Sequence, residues 1–267
     1  MADTAISRTR QGKGMQAAIG LGLAATIFTA WLAIHIFSLF VLDISWMVLP
    51  LVVILGAVQC WLSVGLFIVS HDAMHGSLVP PGISGARRIN AAVGAVLLFL
   101  YAGFGWRRMR DAHFTHHQLA GHPGDPDFDE ANPRSFARWY WTFLKRYFGA
   151  GSMIYVWAVV LTYWLVLDVP VQNIVLLYGA PAIISSMQLF YFGTFRPHRH
   201  ESTSYGMPFA DRHNARSERF GVLASLASCF HFGYHHEHHL HPETPWWKLP
   251  ALRRAALNEE PPEPSVP

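Results

Sequence analysis

Four stretches of this chain contain no charged residue, and each is as long as the roughly 20 residues that a helix needs to cross a bilayer. They cover residues 15–42, 44–70, 147–167 and 169–195. With 52% hydrophobic and only 14% charged residues, the chain has the composition of a membrane protein. We therefore predict an all-α integral membrane fold with four transmembrane helices at about these positions.

A fifth apolar run, residues 89–106, is at the short end of the spanning range. All 20 Lys and Arg residues lie in the N-terminal tail, in residues 76–146 or after residue 195. Under the positive-inside rule, these segments and both termini face the cytoplasm. A crossing by residues 89–106 would place Arg107, Arg108 and Arg110 on the opposite side, so we expect this run to be re-entrant or interfacial.

These patterns predict one folded domain. Residues 1–14 are expected to form a cytoplasmic tail, residues 15–260 the membrane domain with a histidine-rich cytoplasmic cap, and the Pro-rich residues 261–267 a disordered tail. Cys60 and Cys229 lie in apolar runs and are expected to be buried free thiols. His35 stands alone in the first span, where we expect it to bond to a neighbouring helix.

Histidines gather in three clusters with helical spacing. The clusters are His71 with His75; His113, His116 and His117; and His235, His238 and His239. Residues at i, i+3 and i+4 share one helix face, so each cluster can point at a common centre. His236 would point away, and Leu240 four residues later breaks the H-E-x-x-H pattern of zinc proteases. The predicted topology brings all three clusters to the cytoplasmic face.

Eight histidines are too many for one ion of usual coordination number, so the pattern indicates two metal ions with about four imidazoles each. Imidazole suits zinc, copper, iron and nickel, and an open site that binds oxygen favours iron. Acidic residues beside the clusters either fix the histidine tautomers or are solvated or salt-bridged. They are Asp72, Asp111 and Glu237, with Asp211 as a further candidate. For His122, Asp125 and Asp127, in a Pro/Gly/Asp turn region, we expect solvated loop polarity rather than a role as outer ligands.

With these residues in place, the chain resembles the membrane di-iron oxygenase and desaturase superfamily, whose histidine boxes have the same three forms. The segments H-D-A-M-H-G-S-L, F-R-P-H-R-H, D-R-H-N-A-R-S and C-F-H-F-G-Y-H-H-E-H-H-L-H-P-E-T-P-W-W are similar to those of bacterial β-carotene ketolases. This resemblance covers about residues 61–250. It implies oxidation of β-carotene at ring carbon 4, and at 4′, to echinenone and canthaxanthin. Two successive hydroxylations and a dehydration would occur at a di-iron centre, with O2 as co-substrate.

The resemblance also implies a ninth metal ligand, and His198 in F-R-P-H-R matches that position best. His213 and His231 are the rivals for this role. No flavin, haem or iron–sulfur motif is present, so a separate ferredoxin-like electron donor is implied. The expected surroundings are membrane lipid and the bacterial inner membrane, with the termini and the active site on the cytoplasmic side. A nucleic-acid partner has no support in the sequence.

Two other functions are compatible with the same histidines. A carotenoid hydroxylase or a fatty-acyl desaturase would have the same architecture, because the shape of the substrate cavity decides which C–H bond is oxidised. A metal transporter or sensor is a more remote alternative. Transport would place ligands near the bilayer midplane on broken helices, whereas these clusters fall at the ends of spans.

Overall fold

The computed structural model describes residues 2–200 and 209–259, which form helices and loops without β-strands. The helices are α1 (Ala2–Phe40), α2 (Leu49–His75), α3 (Ala86–Ala102), α4 (Trp106–Leu119), α5 (Phe136–Tyr147), α6 (Ala150–Val166), α7 (Val171–His198), α8 (Val222–Cys229), α9 (His235–Leu240) and α10 (Leu249–Glu259). α6 ends in a π turn, and α7 contains two. Helix α1 begins within the predicted tail of residues 1–14, whereas the predicted tail of residues 261–267 lies outside the described residues.

Three of the described helical segments are long and apolar enough to cross a membrane. They are Gln11–Phe40, Trp46–His75 and Val171–His198. Two bent pairs bring the number to as many as five: α3 with α4, at 98°, and α5 with α6, at 87°. The predicted all-α fold with membrane-spanning helices is therefore confirmed in this form. The count of four crossings, the re-entrant run and the cytoplasmic cap remain predictions.

One face of α1 packs against α2, and the opposite face is apolar and exposed. The buried residues recur every three to seven positions, at Ala17, Ala24, Ile27, Trp31 and His35. Such a stripe is the signature of a helix with one packed face. At the point of contact, Gly65 of α2 lets Ile27 and the ring of Phe230 approach the helix backbone closely.

Sharp turns return the chain to the same end of the molecule after α2 and after α3. Gly76 has a left-handed φ of 73° and ends α2, as glycine commonly does. Asn90 then fixes the connecting loop, because its amide both donates to and accepts from the backbone of Val79. The second bend, between α3 and α4, begins at Gly103, which has φ 66°. These bends place α4 beside the C-terminal end of α2.

The C-terminal segment packs over the C-terminal end of α2. The buried carboxylate of Asp72 accepts the backbone N–H of Trp246 at 3.0 Å. Glu237 of α9 forms an ion pair of 2.8 Å with Arg253 of α10. These contacts hold the short helix α9 against the ends of the longer helices.

Candidate metal centre

Nine histidines from four helices meet at one end of the bundle and divide into two groups. The first group is His71, His75, His113, His117 and His238, and the second is His116, His198, His235 and His239. Within each group, one ligand nitrogen from every residue lies within 4.8 Å of all the others. The nine are those predicted from the sequence, including His198, and their role as ligands stays a prediction.

Each three-histidine cluster is shared between the groups, which corrects the expectation that each would point at a common centre. In α4, His113 and His117 join the first group, while His116 joins the second. In α9, His238 joins the first group, while His235 and His239 join the second. An α-helix turns about 100° per residue, so side chains at i and i+4 diverge by about 40°, whereas the i+3 side chain points well away from the i+4 one.

The facing nitrogens are as close as ligand atoms around one ion. In the first group, the Nε2 atoms of His75 and His113 are 2.6 Å apart, and those of His117 and His238 are 3.0 Å apart. In the second group, the Nε2 atom of His235 lies 2.9 Å from that of His198 and 3.0 Å from that of His239. Imidazole nitrogens bound at about 2.1 Å and at right angles to each other would be about 3 Å apart. Both donor sets therefore fit a metal ion.

Hydrogen bonds on the far side of two rings fix which nitrogen faces the group centre. The Nδ1 atom of His116 lies 3.0 Å from both carboxylate oxygens of Asp125, and the Nδ1 atom of His198 lies 2.8 Å from the carbonyl oxygen of Asn214. Each Nδ1 donates its hydrogen, which leaves the Nε2 lone pair directed inward. The Nε2 atom of His116 is buried without a hydrogen-bond partner among the described residues. A carboxylate behind a ligating histidine is typical of metal sites.

Asp125 corrects the expectation of a solvated loop, because it is only 4% exposed. It also accepts the backbone N–H groups of Gly121 and Asp127, both at 2.8 Å. Burial acts to raise the pKa of Asp125, but the neighbouring His116 and these N–H groups more than offset it and lower the pKa. Asp125 is therefore held as a carboxylate. His122, from the same loop, is exposed and contacts Asn214.

Three of the four histidines of α9 are held in the neutral form that can bind metal. Burial is the main cause that keeps the pKa of His235, His238 and His239 well below the ordinary value, and neighbouring histidines add to it. A neutral imidazole offers one nitrogen lone pair, whereas an imidazolium offers none. His236 of the same helix points elsewhere, with its Nε2 atom 3.0 Å from Asp211.

The acidic residues proposed from the sequence occupy different places. Asp72 is buried beside the first group, with one carboxylate oxygen 3.7 Å from the Nδ1 atom of His71. Glu237 is turned away from the metal groups toward Arg253 and Ser217. Asp111 is exposed, and no hydrogen bond within the described residues joins its carboxylate to a histidine of either group. The carboxylate of Asp211 accepts hydrogen bonds from the rings of His213 and His236 instead.

The two rivals of His198 lie outside both groups. The ring of His213 is 5.8 Å from that of His239, and its Nδ1 atom lies 3.0 Å from Asp211. His231 has its Nδ1 atom 3.2 Å from the hydroxyl of Ser225, and its ring stacks on Tyr234. Neither side chain joins the other donors in the structure.

A largely apolar cavity of about 720 Å³ ends at the histidines. His71 and His113 of the first group and His116 and His235 of the second line one end of it. From there it follows α7, past Thr194, Ser186 and Ala182, to the level of Val175 and Ile174. The remaining wall is mostly aliphatic and aromatic: Phe67, Met74, Tyr101, Phe104, Met109, Phe143, Val156 and Val160 are among its members. The arrangement joins a donor set that could hold metal to a long apolar cavity.

Sequence reasoning missed the cavity and the carbonyl oxygen of Asn214. Helices α2 to α7 all contribute to the cavity wall, and their apolar residues look the same in the sequence whether they face lipid or a ligand. Backbone carbonyls leave no trace in a sequence. Asp125 has a weak signal in the sequence, because its carboxylate could be an outer ligand although its Pro/Gly/Asp segment favours solvated loop polarity.

Comparisons with known proteins agree with this site. The family model described as fatty acid desaturase matches residues 44–166 and 149–267. A protein named beta-carotene ketolase from Paracoccus sp. (strain PC1) is 47% identical over 88% of this chain and 93% of its own length. A zeaxanthin 4-ketolase from Chlamydomonas reinhardtii is 32% identical over 89% of this chain and 54% of its own length. No solved structure matches the chain.

These matches confirm the resemblance seen in the histidine boxes and their flanking segments. The two histidine groups fit an iron-dependent oxygenase, and the long apolar helices fit a membrane family. The chain belongs to the fatty acid desaturase family and, within it, to the β-carotene ketolases.

Proposed function

We propose that this protein is an O2-dependent oxygenase that converts the ring methylene at carbon 4 of β-carotene to a ketone. Oxidation of one ring gives echinenone, and oxidation of the second ring, at 4′, gives canthaxanthin. The observation that carries the proposal is the apolar cavity that ends at histidines of both metal-binding groups. The names of the relatives from Paracoccus and from Protosiphon botryoides, a beta-carotene 4-ketolase, support the same reaction.

The cofactor in this proposal is a pair of iron ions, one for each histidine group. His71, His75, His113, His117 and His238 would hold one ion, and His116, His198, His235 and His239 the other. When bound, the irons would supply the activation of O2 that oxidises a non-acidic C–H bond. Asp125 and the carbonyl of Asn214 keep two of these ligands in the required tautomer.

The reaction suits an oxidising centre rather than acid–base catalysis. The C–H bond at carbon 4 is allylic and relatively weak, yet it is not acidic. Each hydroxylation inserts one oxygen atom of O2 into the C–H bond, and two electrons and two protons reduce the other atom to water. Two hydroxylations at one carbon give a geminal diol, which loses water to become the ketone.

The cavity would position the substrate and exclude water from it. β-Carotene is apolar and roughly as long as the ~30 Å hydrocarbon core of a bilayer. The aliphatic and aromatic walls bind such a molecule by the hydrophobic effect. Phe232 and Met74 lie beside the histidines and line the same end, so they would confine the leading ring. A substrate would enter from lipid, with one ring first.

The proposed topology has four crossings, with α3 as a re-entrant or interfacial helix. The 98° bend between α3 and α4 supports it, because a helix that turns so sharply at Gly103 need not complete a crossing. The positive-inside rule then favours a cytoplasmic face for the histidines. In a bacterial cell this topology corresponds to the inner membrane.

Reduction of O2 requires electrons, and a separate ferredoxin-like protein is the proposed donor. Exposed basic side chains lie next to the histidine end, for example Arg107 and Arg108 of α4. A positive surface attracts an acidic donor and speeds its approach. The same charges would meet anionic lipid headgroups.

Bacteria engineered to make β-carotene provide the test. Expression of the protein is expected to turn the yellow extracts orange-red through echinenone and canthaxanthin, and the colour change should require O2. Products hydroxylated at a different ring carbon would indicate a carotenoid hydroxylase. Unaltered carotene together with newly unsaturated membrane lipids would indicate a fatty-acyl desaturase.

A further inference from the structure

Four tyrosines line the cavity, and three of their hydroxyls are already paired. The partners are Ser185 for Tyr101, Ser186 for Tyr140 and Asp127 for Tyr147. Tyr178 differs, since its hydroxyl forms no hydrogen bond within the described part of the chain. A polar group that lines an apolar cavity without a partner is available to a ligand.

Tyr178 lies at the end of the cavity opposite to the histidines. The helical rise of about 1.5 Å per residue places it roughly 24 Å along α7 from Thr194, which lines the histidine end. Its neighbours at this far end are Val160, Ile174 and Val175. Within the described lining of this far end, Tyr178 is therefore a polar side chain among aliphatic neighbours.

Two polar residues behind Tyr178 hold its ring in place. The Nε2 atom of His35 lies 2.8 Å from the hydroxyl of Tyr163, so the histidine of the first span bonds to a neighbouring helix, as expected from the sequence. The rings of both residues lie within 5.8 Å of the ring of Tyr178 and meet it edge-on. Neither lines the cavity. Tyr178 thus combines a fixed ring with an unpaired hydroxyl.

The length of the substrate connects this hydroxyl to the reaction. An extended carotenoid close to ~30 Å long, with one ring beneath the histidines, brings its other ring to the level of Tyr178. After the first oxidation, the molecule must re-enter with its unoxidised ring leading. Its new ketone then lies at the far end of the cavity. A buried carbonyl oxygen that accepts no hydrogen bond there would weaken binding of the carotenoid.

We propose that Tyr178 forms a distal subsite whose hydroxyl donates a hydrogen bond to the ring carbonyl of a mono-ketolated carotenoid. The subsite favours the second oxidation, from echinenone to canthaxanthin, over the first. This inference rests on the proposed ketolase function. The ligand class is a long apolar carotenoid with one ring ketone.

Tyr178→Phe tests the subsite, because it removes one oxygen atom and keeps the ring. We expect kcat/KM for echinenone to fall by about 3- to 10-fold, the loss of one neutral hydrogen bond, while kcat/KM for β-carotene changes less than about twofold. Tyr155→Phe is the matched control. It removes a hydroxyl that bonds the carbonyl oxygen of Leu100 and belongs to a residue outside the cavity lining, so the ratio of the two rates should not change.

An unchanged ratio in Tyr178→Phe, or an equal loss with both substrates, would overturn the subsite. A selective loss that also appears in Tyr155→Phe would overturn it too, because removal of a nearby tyrosine hydroxyl outside the cavity would then have the same effect. A wild-type protein that oxidises neither carotenoid would refute the ketolase function itself. The two failures are therefore distinguishable.

Discussion

The Nδ1 atom of His116 lies 3.0 Å from each carboxylate oxygen of Asp125, and both residues are buried. This pairing is the only one in the described residues in which a carboxylate hydrogen-bonds a histidine of either metal-binding group. It fixes the tautomer of His116 and raises the basicity of the nitrogen that faces the second group. The loop that contains Asp125 therefore belongs to the candidate metal centre.

Replacement of Asp125 tests this role. Asp125→Asn keeps the size of the side chain but removes its charge, and we expect a loss of about 10- to 100-fold in iron affinity or activity. The measurement is iron per chain together with the rate of ketone formation. Asp111→Asn is the control, since Asp111 is exposed on α4 and is expected to behave as the wild type. Equal behaviour of the two variants would contradict the role of Asp125.

The ninth ligand is tested by comparing two histidines. His198→Ala removes a member of the second group, so one of two irons should be lost. Activity should fall by more than roughly 100-fold, which exceeds the effect of losing a residue that only hydrogen-bonds a ligand. His213→Ala should retain both irons, because His213 is bonded to Asp211. Metal analysis of the two purified variants gives the answer. Iron loss in His213→Ala alone would assign the ligand to His213.

The cavity is tested by a substitution that fills it. Ala182 lines the cavity on α7, so Ala182→Phe should block the substrate and lower ketolase activity at least about tenfold, with unchanged iron content. Ile184→Phe on the same helix is the matched control, because Ile184 is 53% exposed on the outer surface of the bundle. Full activity in Ala182→Phe would show that the substrate binds elsewhere.

The ion pair between Glu237 and Arg253 is expected to hold α9 in place. Its side chains are only 4% and 11% exposed, so Arg253→Met leaves a buried carboxylate without this cation. Loss of one partner of a buried pair costs about 3–5 kcal/mol. We expect a lower melting temperature in detergent and weaker iron retention. Arg254→Met, at an exposed neighbouring position, should change neither. An Arg253→Met variant as stable as Arg254→Met would contradict this role.

The sequence predicts the histidines well because helical spacing and membrane topology constrain them strongly. All nine predicted positions converge, including His198 from the F-R-P-H-R segment. The division of each cluster between two groups could not be predicted, since it depends on how the axes of α4 and α9 face each other. A single helix shows that His116 and His117 diverge by about 100°, but not where the second centre lies.

The position of Asp125 could not be predicted for a different reason. Its segment is rich in Pro, Gly and Asp, a composition typical of solvated turns. Burial comes from residues elsewhere in the chain. The indole of Trp139 donates to the carbonyl of Asp127 at 2.7 Å, and the ring of Phe128 packs edge-on against Trp139. Long-range packing of this kind leaves no local pattern in the sequence.

The most direct test of the account is the iron content of the purified protein measured together with its β-carotene ketolase activity. We predict about two irons per chain, and an activity that rises with iron content and disappears after chelation. The histidine groups, with five and four members, would provide the ligands for both ions. Full ketolase activity in protein that holds no iron, or that holds a single ion per chain, would contradict the two-iron centre.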